Sequence, residues 1–425
     1  MVCDQARRRL RICVVYSRLP FPMMRGDQLT VAHLLSYLHA RGHEVDLFAL
    51  STGGALNAGQ EAWLNSVCRR VQIVRHGLPQ ILRGSIAALI NGEPFQVGFF
   101  RNATLAEHVA AAVREGTYDV VYNYYLRTAL AVPALFRPNL ASTLSGRPVA
   151  AFLALQLSQT LNTRRIYENE RDWLKRLFYR VEHGRLRRYE AAIWQRFTKT
   201  VLIGARDVED IRDACRLAGQ PEIDNWTLSA HGTDVEQFRP ARADEVVPGR
   251  IVFSGSMRYQ PNVQAALWFV DRCWDVIRDK VPYAQLFIVG QSPTAVLRAL
   301  DGKKGIHVTG TVPDIGEHVR RAAVCINPMR AAGGMQNKLI EYMACGKAVV
   351  ATSIANEGIC APLGSLAIAD DANAFATRTI ELLENPGVAL QLGRAARDYV
   401  VSEWTWERQF EKLEASFYAA LATDQ

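Results

Sequence analysis

One stretch, residues 325–352, constrains the fold of this chain more than any other part of its sequence. It reads CINPMRAAGGMQNKLIEYMACGKAVVAT. An apolar run comes first, then a loop with two adjacent glycines, a helical segment that ends at Gly346, and a second apolar run from Ala348 to Ala351. Strand, glycine turn, helix and strand in this order predict a βαβ unit of a parallel, doubly wound sheet.

The start of the helix in this stretch is a candidate anion-binding site. A helix N-terminus offers unpaired backbone N–H groups and the positive end of a dipole, and Gly333 and Gly334 let the backbone approach a ligand closely. Arg330 and Lys338 add positive charge against a phosphate, whereas Glu341 can accept hydrogen bonds from a sugar diol. A sugar nucleotide is therefore the predicted ligand. The alternative is an ordinary helix–sheet unit whose lysine and glutamate, three positions apart on one helix face, are solvated.

The run EYMACGKAVV at 341–350 resembles the donor-site signature of the family 4 glycosyltransferases. Typical members carry a second glutamate eight positions before the one at 341, where this chain has Gly333. A Gly-Gly…Lys…Glu version of the signature is found in a bacterial polysaccharide-biosynthesis branch of that family. The resemblance implies the GT-B architecture, an α/β fold with two Rossmann-like domains facing across a cleft. It leaves open which group contacts the donor sugar hydroxyls.

Length and pattern agree with two domains, because 425 residues exceed what one core usually holds. A strand at Arg11–Tyr16, a helix at Val31–Ala40 and a strand at Glu44–Leu50 predict that the chain opens with another βαβ unit. The resemblance implies an N-terminal acceptor-binding domain at 1–228, completed by a C-terminal crossover helix at 404–425. It implies a nucleotide-sugar-binding domain at 229–403.

The linker into that second domain, SAHGTDVEQFRP, resembles the family's linker, but His231 stands where an asparagine is usual. This histidine is interpreted either as a packed linker residue or as a residue of the cleft.

The resemblance also assigns the donor site residue by residue. GTVPDI at 310–315 resembles the loop that packs against the nucleotide base, and the loop with Gly26 and Asp27 resembles one that faces the cleft. The family's diphosphate-clamping arginine and lysine are replaced by Ser256 and Pro261, which leaves Arg258 as a substitute cation or as an exposed turn residue. The candidate clamp is Arg258, Arg330 and Lys338. The predicted nucleotide-sugar-binding residues are Gly26, Asp27, Gly255, Ser256, Arg258, Thr311, Val312, Arg330, Gly333, Gly334, Met335, Gln336, Asn337, Lys338 and Glu341.

No catalytic base is assigned by the sequence. Many family members place a histidine just past the strand predicted at Tyr118–Tyr125, whereas this chain continues with Leu126 and Arg127. Family members retain anomeric configuration without a metal, and the departing phosphate oxygen often serves as the base. The expected activity is metal-independent hexosyl transfer to a glycan, lipid-linked or small-molecule acceptor, with the nucleotide sugar as co-substrate and no cofactor. The alternatives are an epimerase or phosphorylase of this architecture, and a non-catalytic sugar-nucleotide-binding protein.

Charge is distributed unevenly along the chain. Residues 1–228 contain 30 Lys/Arg and 20 Asp/Glu, a balance of +10, whereas residues 229–425 contain 20 and 22, a balance of −2. A basic surface attracts anionic lipid or a diphosphate, and the lack of interleaved aromatic and basic residues argues against nucleic acid. Residues 78–101 have the apolar spacing of a core helix or, alternatively, of an acceptor- or membrane-facing lip. The arginine-rich segment 164–196 is interpreted as a solvated helix or a membrane-surface helix.

Compartment is inferred from what the sequence lacks. No window has the ~18 uninterrupted apolar residues of a membrane span, and the N-terminal apolar run is too short for a signal peptide. The eight cysteines have no metal-binding spacing, which favours a reducing compartment and no metal site. The expected location is the cytoplasm, either free or peripheral at the inner membrane face.

Overall fold

The chain is organised as two compact units. The computed structural model describes residues 8–23, 26–54, 56–115, 118–133, 149–170, 172–330 and 335–422. The first unit comprises Met1–Ala230 with Phe410–Gln425, and the second comprises His231–Gln409.

The first unit is built on a seven-stranded sheet whose described strand pairs are all parallel, in the order β3-β2-β1-β4-β5-β6-β7. Its strands are β1 (Arg11–Tyr16), β2 (Glu44–Ser51), β3 (Arg70–Arg75), β4 (Val120–Tyr124), β5 (Ala150–Gln156), β6 (Lys199–Leu202) and β7 (Trp226–Leu228). Its helices are α1 (Gly26–Ala40), α2 (Ala58–Val67), α3 (Leu78–Asn91), α4 (Phe95–Phe99), α5 (Ala103–Arg114), α6 (Gln159–Asn169), α7 (Trp173–Ile193) and α8 (Ala205–Leu217). A 3₁₀ helix, Leu126–Ala131, follows β4. Strands β4 and β5 are buried along their whole length, as expected for central strands of a sheet covered on both faces.

The second unit repeats this plan with a six-stranded parallel sheet in the order β10-β9-β8-β11-β12-β13. Its strands are β8 (Arg250–Ser254), β9 (Gln285–Val289), β10 (Ile306–Gly310), β11 (Val324–Asn327), β12 (Val349–Ala351) and β13 (Ala367–Ile368). The helices are α9 (Gln260–Phe269), α10 (Asp275–Lys280), α11 (Ala295–Arg298), α12 (Ile315–Arg320), α13 (Asn337–Ala344), α14 (Ser353–Asn356), α15 (Ala372–Glu384), α16 (Pro386–Glu403) and α17 (Trp406–Ala422). A π turn, Val270–Trp274, joins α9 to α10.

Both sheets reverse their strand order at one point. The chain runs outward from β1 to β3 and then continues on the other side of β1 with β4, and it does the same from β8 to β10 and then to β11. Because parallel crossovers are right-handed, this reversal places helices on both faces of each sheet. It also opens a crevice outside the carboxyl ends of the two central strands, which we call the switch point. The predicted fold class, two Rossmann-like α/β domains, is confirmed.

Helix α17 begins in the second unit, and its residues from Phe410 onward belong to the first. The Phe417 ring packs edge to face on Phe152 of β5, with 4.8 Å between the ring centroids. The buried Glu414 carboxylate accepts a hydrogen bond from the Tyr37 hydroxyl at 2.7 Å and lies 3.1 Å from His43 Nε2. This end of the helix therefore completes the core of the first unit.

Three local expectations differ from the structure. Gly26 and Asp27, expected in a loop, form the first turn of α1, because the helix begins five residues before the predicted Val31. Segment 164–196 is divided between α6 and α7 rather than forming one helix. Helix α3 is not a core helix, since of its residues only Gly84 and Ala88 are buried and its large apolar side chains are exposed. Helical spacing predicts that an apolar face exists, but it does not say what covers that face.

Candidate functional site

The floor of the candidate site is bare backbone at the ends of β8 and β9. Gly255 and Gly290 directly follow these strands, with φ angles of 149° and 148° that favour glycine. A Cβ atom on Gly290 would lie 1.8 Å from the Gly255 carbonyl oxygen. The two strand ends approach each other too closely for any side chain, so backbone groups are exposed to a ligand here.

Helix α13 is held to this floor by a buried tyrosine. The Tyr342 hydroxyl accepts a hydrogen bond from the Ser254 backbone N–H at 2.6 Å and lies 2.9 Å from Ser254 Oγ. Ser254 is the last residue of β8, so this pair fixes the helix against the carboxyl end of the first strand of the sheet. The polar face of α13 is thereby turned toward the switch point.

Lys338, in the first turn of α13, is the buried cation of the site. Its Nζ donates a hydrogen bond to Asn262 Oδ1 at 2.5 Å and lies 4.5 Å from the centroid of the Phe253 ring. Asn262 in turn donates from Nδ2 to the Ser256 carbonyl at 3.0 Å, so one amide holds both the lysine and the loop after β8. Burial lowers the pKa of Lys338 to about 7, a shift opposed by the negative charge of Glu341.

Glu341 lies one turn further along the same helix face, where it is partly exposed. Burial raises the pKa of this carboxyl to about 7, and the nearby Lys338 ammonium opposes the shift. Both groups thus titrate close to neutral pH. A bound diphosphate would favour the charged lysine, and sugar hydroxyls would favour the charged carboxylate.

These groups line an open cavity of about 520 Å³ at the switch point of the second sheet. Nine of the predicted site residues line it: Gly255, Ser256, Thr311, Val312, Met335, Gln336, Asn337, Lys338 and Glu341. Six lining residues were missed: Ser254, Tyr259, Asn262, Gly290, Gln291 and Ile315. The glycine that ends an apolar run at 285–290 was a usable signal for Gly290, whereas nothing local marks Asn262 as the partner of a lysine 76 positions away.

The remaining predicted residues lie elsewhere or outside the described ranges. Arg258 and Arg330 are exposed and are not among the described residues that line the cavity; the Arg330 guanidinium instead lies 5.2 Å from the Trp268 ring centroid. Gly333 and Gly334 fall outside the described residues. Of the proposed clamp, the structure therefore brings only Lys338 to the cavity, and roles for the two arginines remain predictions.

Two further residues singled out from the sequence, Asp27 and His231, have partners within their own unit. Asp27, in the first unit, accepts a hydrogen bond from the Tyr16 hydroxyl at 3.0 Å. Gly26 precedes it, and a Cβ atom added there would have no described atom within 4 Å. His231 packs edge to face on Trp406, with 6.3 Å between the ring centroids, as a packed linker histidine would.

The segment that builds this cavity has known relatives. Residues 248–385 match the model of the family described as glycosyl transferases group 1. The likeness to this family thus covers the segment that contains the cavity. Over nearly its whole length, the chain is also 21% identical to an uncharacterised 44.6 kDa protein from the cps region of Klebsiella pneumoniae, covering 95% of this chain and 98% of the relative.

Solved structures of similar fold cover both units. Sucrose-phosphate synthase from Thermosynechococcus elongatus superposes with a TM-score of 0.65 at 16% identity, covering 98% of this chain and 100% of that chain. HepE from Anabaena in complex with UDP superposes with a TM-score of 0.60 at 13% identity, covering 96% and 100%. At these identities the likeness establishes the fold, which is GT-B.

Proposed function

We propose that this protein transfers a hexosyl group from a nucleoside-diphosphate sugar to an acceptor, with retention of anomeric configuration and without a metal. The observation that carries the proposal is the cavity at the second switch point, which lies inside the group 1 glycosyl transferase segment and pairs the buried Lys338 with Glu341. The binding of UDP by HepE, a protein of similar fold, supports a nucleotide sugar as the donor.

Each group has a role that follows from its surroundings. The Lys338 ammonium would pair with the diphosphate, and because it is desolvated, such a pair is stronger than one in water. The bare backbone at Gly255 and Gly290 admits the phosphates, and the N–H groups at the start of α13 add the positive end of a helix dipole. Glu341 would accept hydrogen bonds from the two ribose hydroxyls.

Bond cleavage then depends on stabilising the departing diphosphate. The donor C1–O bond breaks as the acceptor hydroxyl approaches C1, and the negative charge that develops on the leaving phosphate oxygen is stabilised by Lys338 and the helix dipole. In the retaining reaction that we propose, this oxygen also takes the proton of the acceptor hydroxyl. No histidine is needed for that step.

Thermal unfolding of the full chain with UDP-, GDP-, dTDP- and ADP-sugars tests the donor site. A ligand at ~100 times its dissociation constant adds about 2.7 kcal/mol to the free energy of unfolding. We expect one nucleotide series to raise the Tm, Glu341→Ala to abolish the shift, and Glu317→Ala, on an exposed face of the same unit, to retain it. No shift with any series would overturn the proposal. A shift without glycosyl transfer or donor hydrolysis would identify a binding protein instead.

We further propose that the first unit docks on an anionic membrane surface. Helix α3 exposes one apolar face, formed by Leu78, Leu82, Ile86, Leu89 and Ile90. The first half of α7 exposes another, formed by Trp173, Leu174, Leu177, Phe178 and Val181. The Phe95 ring lies 6.1 Å from the Phe178 ring, so α4 connects the two helices. Lys175, Arg176 and Arg180 are exposed on the same half of α7 and complement anionic headgroups. No helix in the described ranges has the length and apolarity needed to cross a bilayer.

Sedimentation with vesicles tests this docking. We expect the protein to pellet with vesicles of phosphatidylcholine and phosphatidylglycerol, less with phosphatidylcholine alone, and less at high salt because exposed charges are screened. The double variant Leu82→Ser, Phe178→Ser should stay in the supernatant. The matched control is Leu363→Ser, which removes a leucine that is 95% exposed in the second unit. Equal pelleting of all variants would contradict the proposed surface.

A further inference from the structure

The switch point of the first sheet carries a group of polar side chains that the donor site does not use. Arg18 follows β1 by two residues, and Arg127 follows β4 by three. These two strands are neighbours on either side of the switch point, so both arginines lie at the crevice where α/β sheets bind ligands.

Arg127 is a partly buried cation without an ionic partner. Its guanidinium carbon lies 4.5 Å from the centroid of the Tyr125 ring and 5.0 Å from that of Phe100. Within the described residues it has no salt bridge, and its buried Nε has no hydrogen-bond acceptor. Desolvation lowers the pKa of Arg127, yet a guanidinium keeps its proton in proteins. The charge therefore persists, and the Asp27 carboxylate acts on it electrostatically without forming a salt bridge with it in the described part of the chain.

Arg18 differs from Arg127 although it lies in the same place. It stacks on the same Phe100 ring at 5.9 Å, but its guanidinium also lies 3.3 Å from the Asp27 carboxylate. Asp27 is in turn held by the Tyr16 hydroxyl. Asp27 thus forms an ion pair with Arg18, whereas Arg127 has no ion pair among the residues that the structure describes.

Three buried acceptors with unused hydrogen-bonding capacity lie on β4, on the 3₁₀ helix that carries Arg127 and at the end of the adjacent strand β5. Asn123 Oδ1, Thr128 Oγ1 and Gln156 Oε1 are buried and have no hydrogen-bond partner within the described part of the chain. Leaving such groups unpaired costs about 1–3 kcal/mol each, which ligand hydroxyls would recover.

The backbone beside these groups is strained. Tyr125 and Gln156 have φ angles of 86° and 67°, which are uncommon for residues other than glycine. Hydrogen bonds hold Tyr125 there, from Asn123 Nδ2 to its carbonyl at 2.8 Å and from Gln159 Nε2 to its hydroxyl at 2.8 Å. Strain that the surroundings maintain is typical of ligand-binding positions.

We propose that Arg127 forms an oxyanion-binding subsite at the first switch point, which holds a phosphate or carboxylate of a hydroxyl-rich ligand. The assignment of this ligand rests on the proposed function: it is the acceptor, and the acceptor is therefore an anionic saccharide or a sugar phosphate. The planar guanidinium presents parallel N–H donors to two oxygens of one oxyanion. The amide oxygens of Asn123 and Gln156 accept hydrogen bonds from the hydroxyl groups of the ligand. Phe100, on which Arg127 stacks, is itself held by stacking on His76, with 6.1 Å between the ring centroids.

Protection of Arg127 from phenylglyoxal in the full-length wild-type protein is the first test. Modification of each arginine is followed by mass spectrometry with inorganic phosphate, D-glucuronate or D-glucose present. We expect phosphate or glucuronate to slow modification of Arg127 at least about tenfold, since a charge-assisted pair is stronger than a neutral hydrogen bond, and glucose to have no such effect. Arg70, which lies over the Phe48 ring at the start of β3, is the internal control and should be unaffected. No protection by either anion, or equal protection by glucose, would overturn the subsite.

Calorimetric titration with the anion that protects Arg127 from phenylglyoxal distinguishes a role of Arg127 in anion binding from a purely structural role. Arg127→Gln should lose binding, Arg127→Lys should retain part of it, and Arg70→Gln should bind like wild type; unchanged binding in Arg127→Gln would also overturn the proposal. Because the protection experiment uses the wild-type protein, it tests the oxyanion subsite even if a variant fails to fold. It needs no donor, so a protein that shows anion protection but no shift with any nucleotide sugar would overturn the proposed transferase and leave the oxyanion subsite standing.

Discussion

Each of the two switch points holds a desolvated cation, Lys338 in the second unit and Arg127 in the first, and the surroundings of the two cations differ. In the second unit Lys338 has a hydrogen-bond acceptor, Asn262, and burial lowers its pKa to about 7. In the first unit Arg127 stacks on the Phe100 and Tyr125 rings and has no salt bridge among the described residues. A lysine can relieve desolvation by losing its proton, whereas an arginine cannot. The difference indicates a site with adjustable charge in the second unit and a site of permanent positive charge in the first.

The backbone differs between the two regions as well. Gly255 and Gly290 bring two strand ends into contact in the second unit. Gly26, at the start of α1 in the first unit, has no described atom within 4 Å of the position that a Cβ would occupy. The second site is thus shaped by backbone, and the first by the side chains of Tyr125, Phe100 and Arg127.

The largest expected effect on stability comes from comparing two glycine-to-alanine substitutions, one in each region. Gly290→Ala places a methyl group against the Gly255 carbonyl at an unfavourable φ, so we expect a loss of at least about 3 kcal/mol in the free energy of unfolding. Gly26→Ala, in the first turn of α1, should be neutral or stabilising by up to ~1 kcal/mol. Urea denaturation followed by circular dichroism measures both. Similar losses in the two variants would refute the difference in packing.

A smaller effect is expected from pH. Between about 7 and the ordinary value of 10.5, the unfolded chain holds a proton on Lys338 that the folded chain has released, so the free energy of unfolding should rise with pH. The contribution is at most about 1.4 kcal/mol per pH unit. Glu341 acts in the opposite direction between 4.5 and about 7, where the folded chain holds the extra proton and stability falls as pH rises.

Two variants isolate the contribution of the lysine. Lys338→Met should flatten the rise above pH 7, whereas Arg127→Gln should leave it intact, because the guanidinium does not titrate in this range. Urea denaturation at several pH values gives the slopes. The same slope in wild type and Lys338→Met would remove the basis for adjustable charge in the second unit.

The smallest effect compares two asparagines on the central strands β4 and β11. Both side-chain polar atoms of the buried Asn327 lack a hydrogen-bond partner among the described residues, so Asn327→Leu should leave stability unchanged or raise it by about 1 kcal/mol. Asn123 supports the strained Tyr125, so Asn123→Leu should cost about 1 kcal/mol. Chemical denaturation of the two variants side by side resolves the difference. A larger loss in Asn327→Leu would reverse this ranking of the two sites.

Sequence reasoning located the second site better than the first for a physical reason. Lys338 and Glu341 belong to one helix, and helical periodicity alone puts them on one face of α13. Asn262, which completes their environment, comes from α9 and could be found only through the folded arrangement. In the first unit, Arg127 was noted only as part of a segment without a histidine, because its significance depends on rings and polar atoms from several strands and loops.

The sequence by itself determined that both halves of the chain form parallel α/β sheets and that Lys338 and Glu341 share one face of helix α13. Apolar runs, helical spacing and glycines are local properties, and they act over a few residues. The tertiary structure alone decided the desolvation of Lys338, the stacking of Arg127 on two aromatic rings and the exposure of the apolar face of α3. Desolvation, ion pairing and coverage depend on atoms that approach from distant parts of the chain, and no local pattern contains those distances.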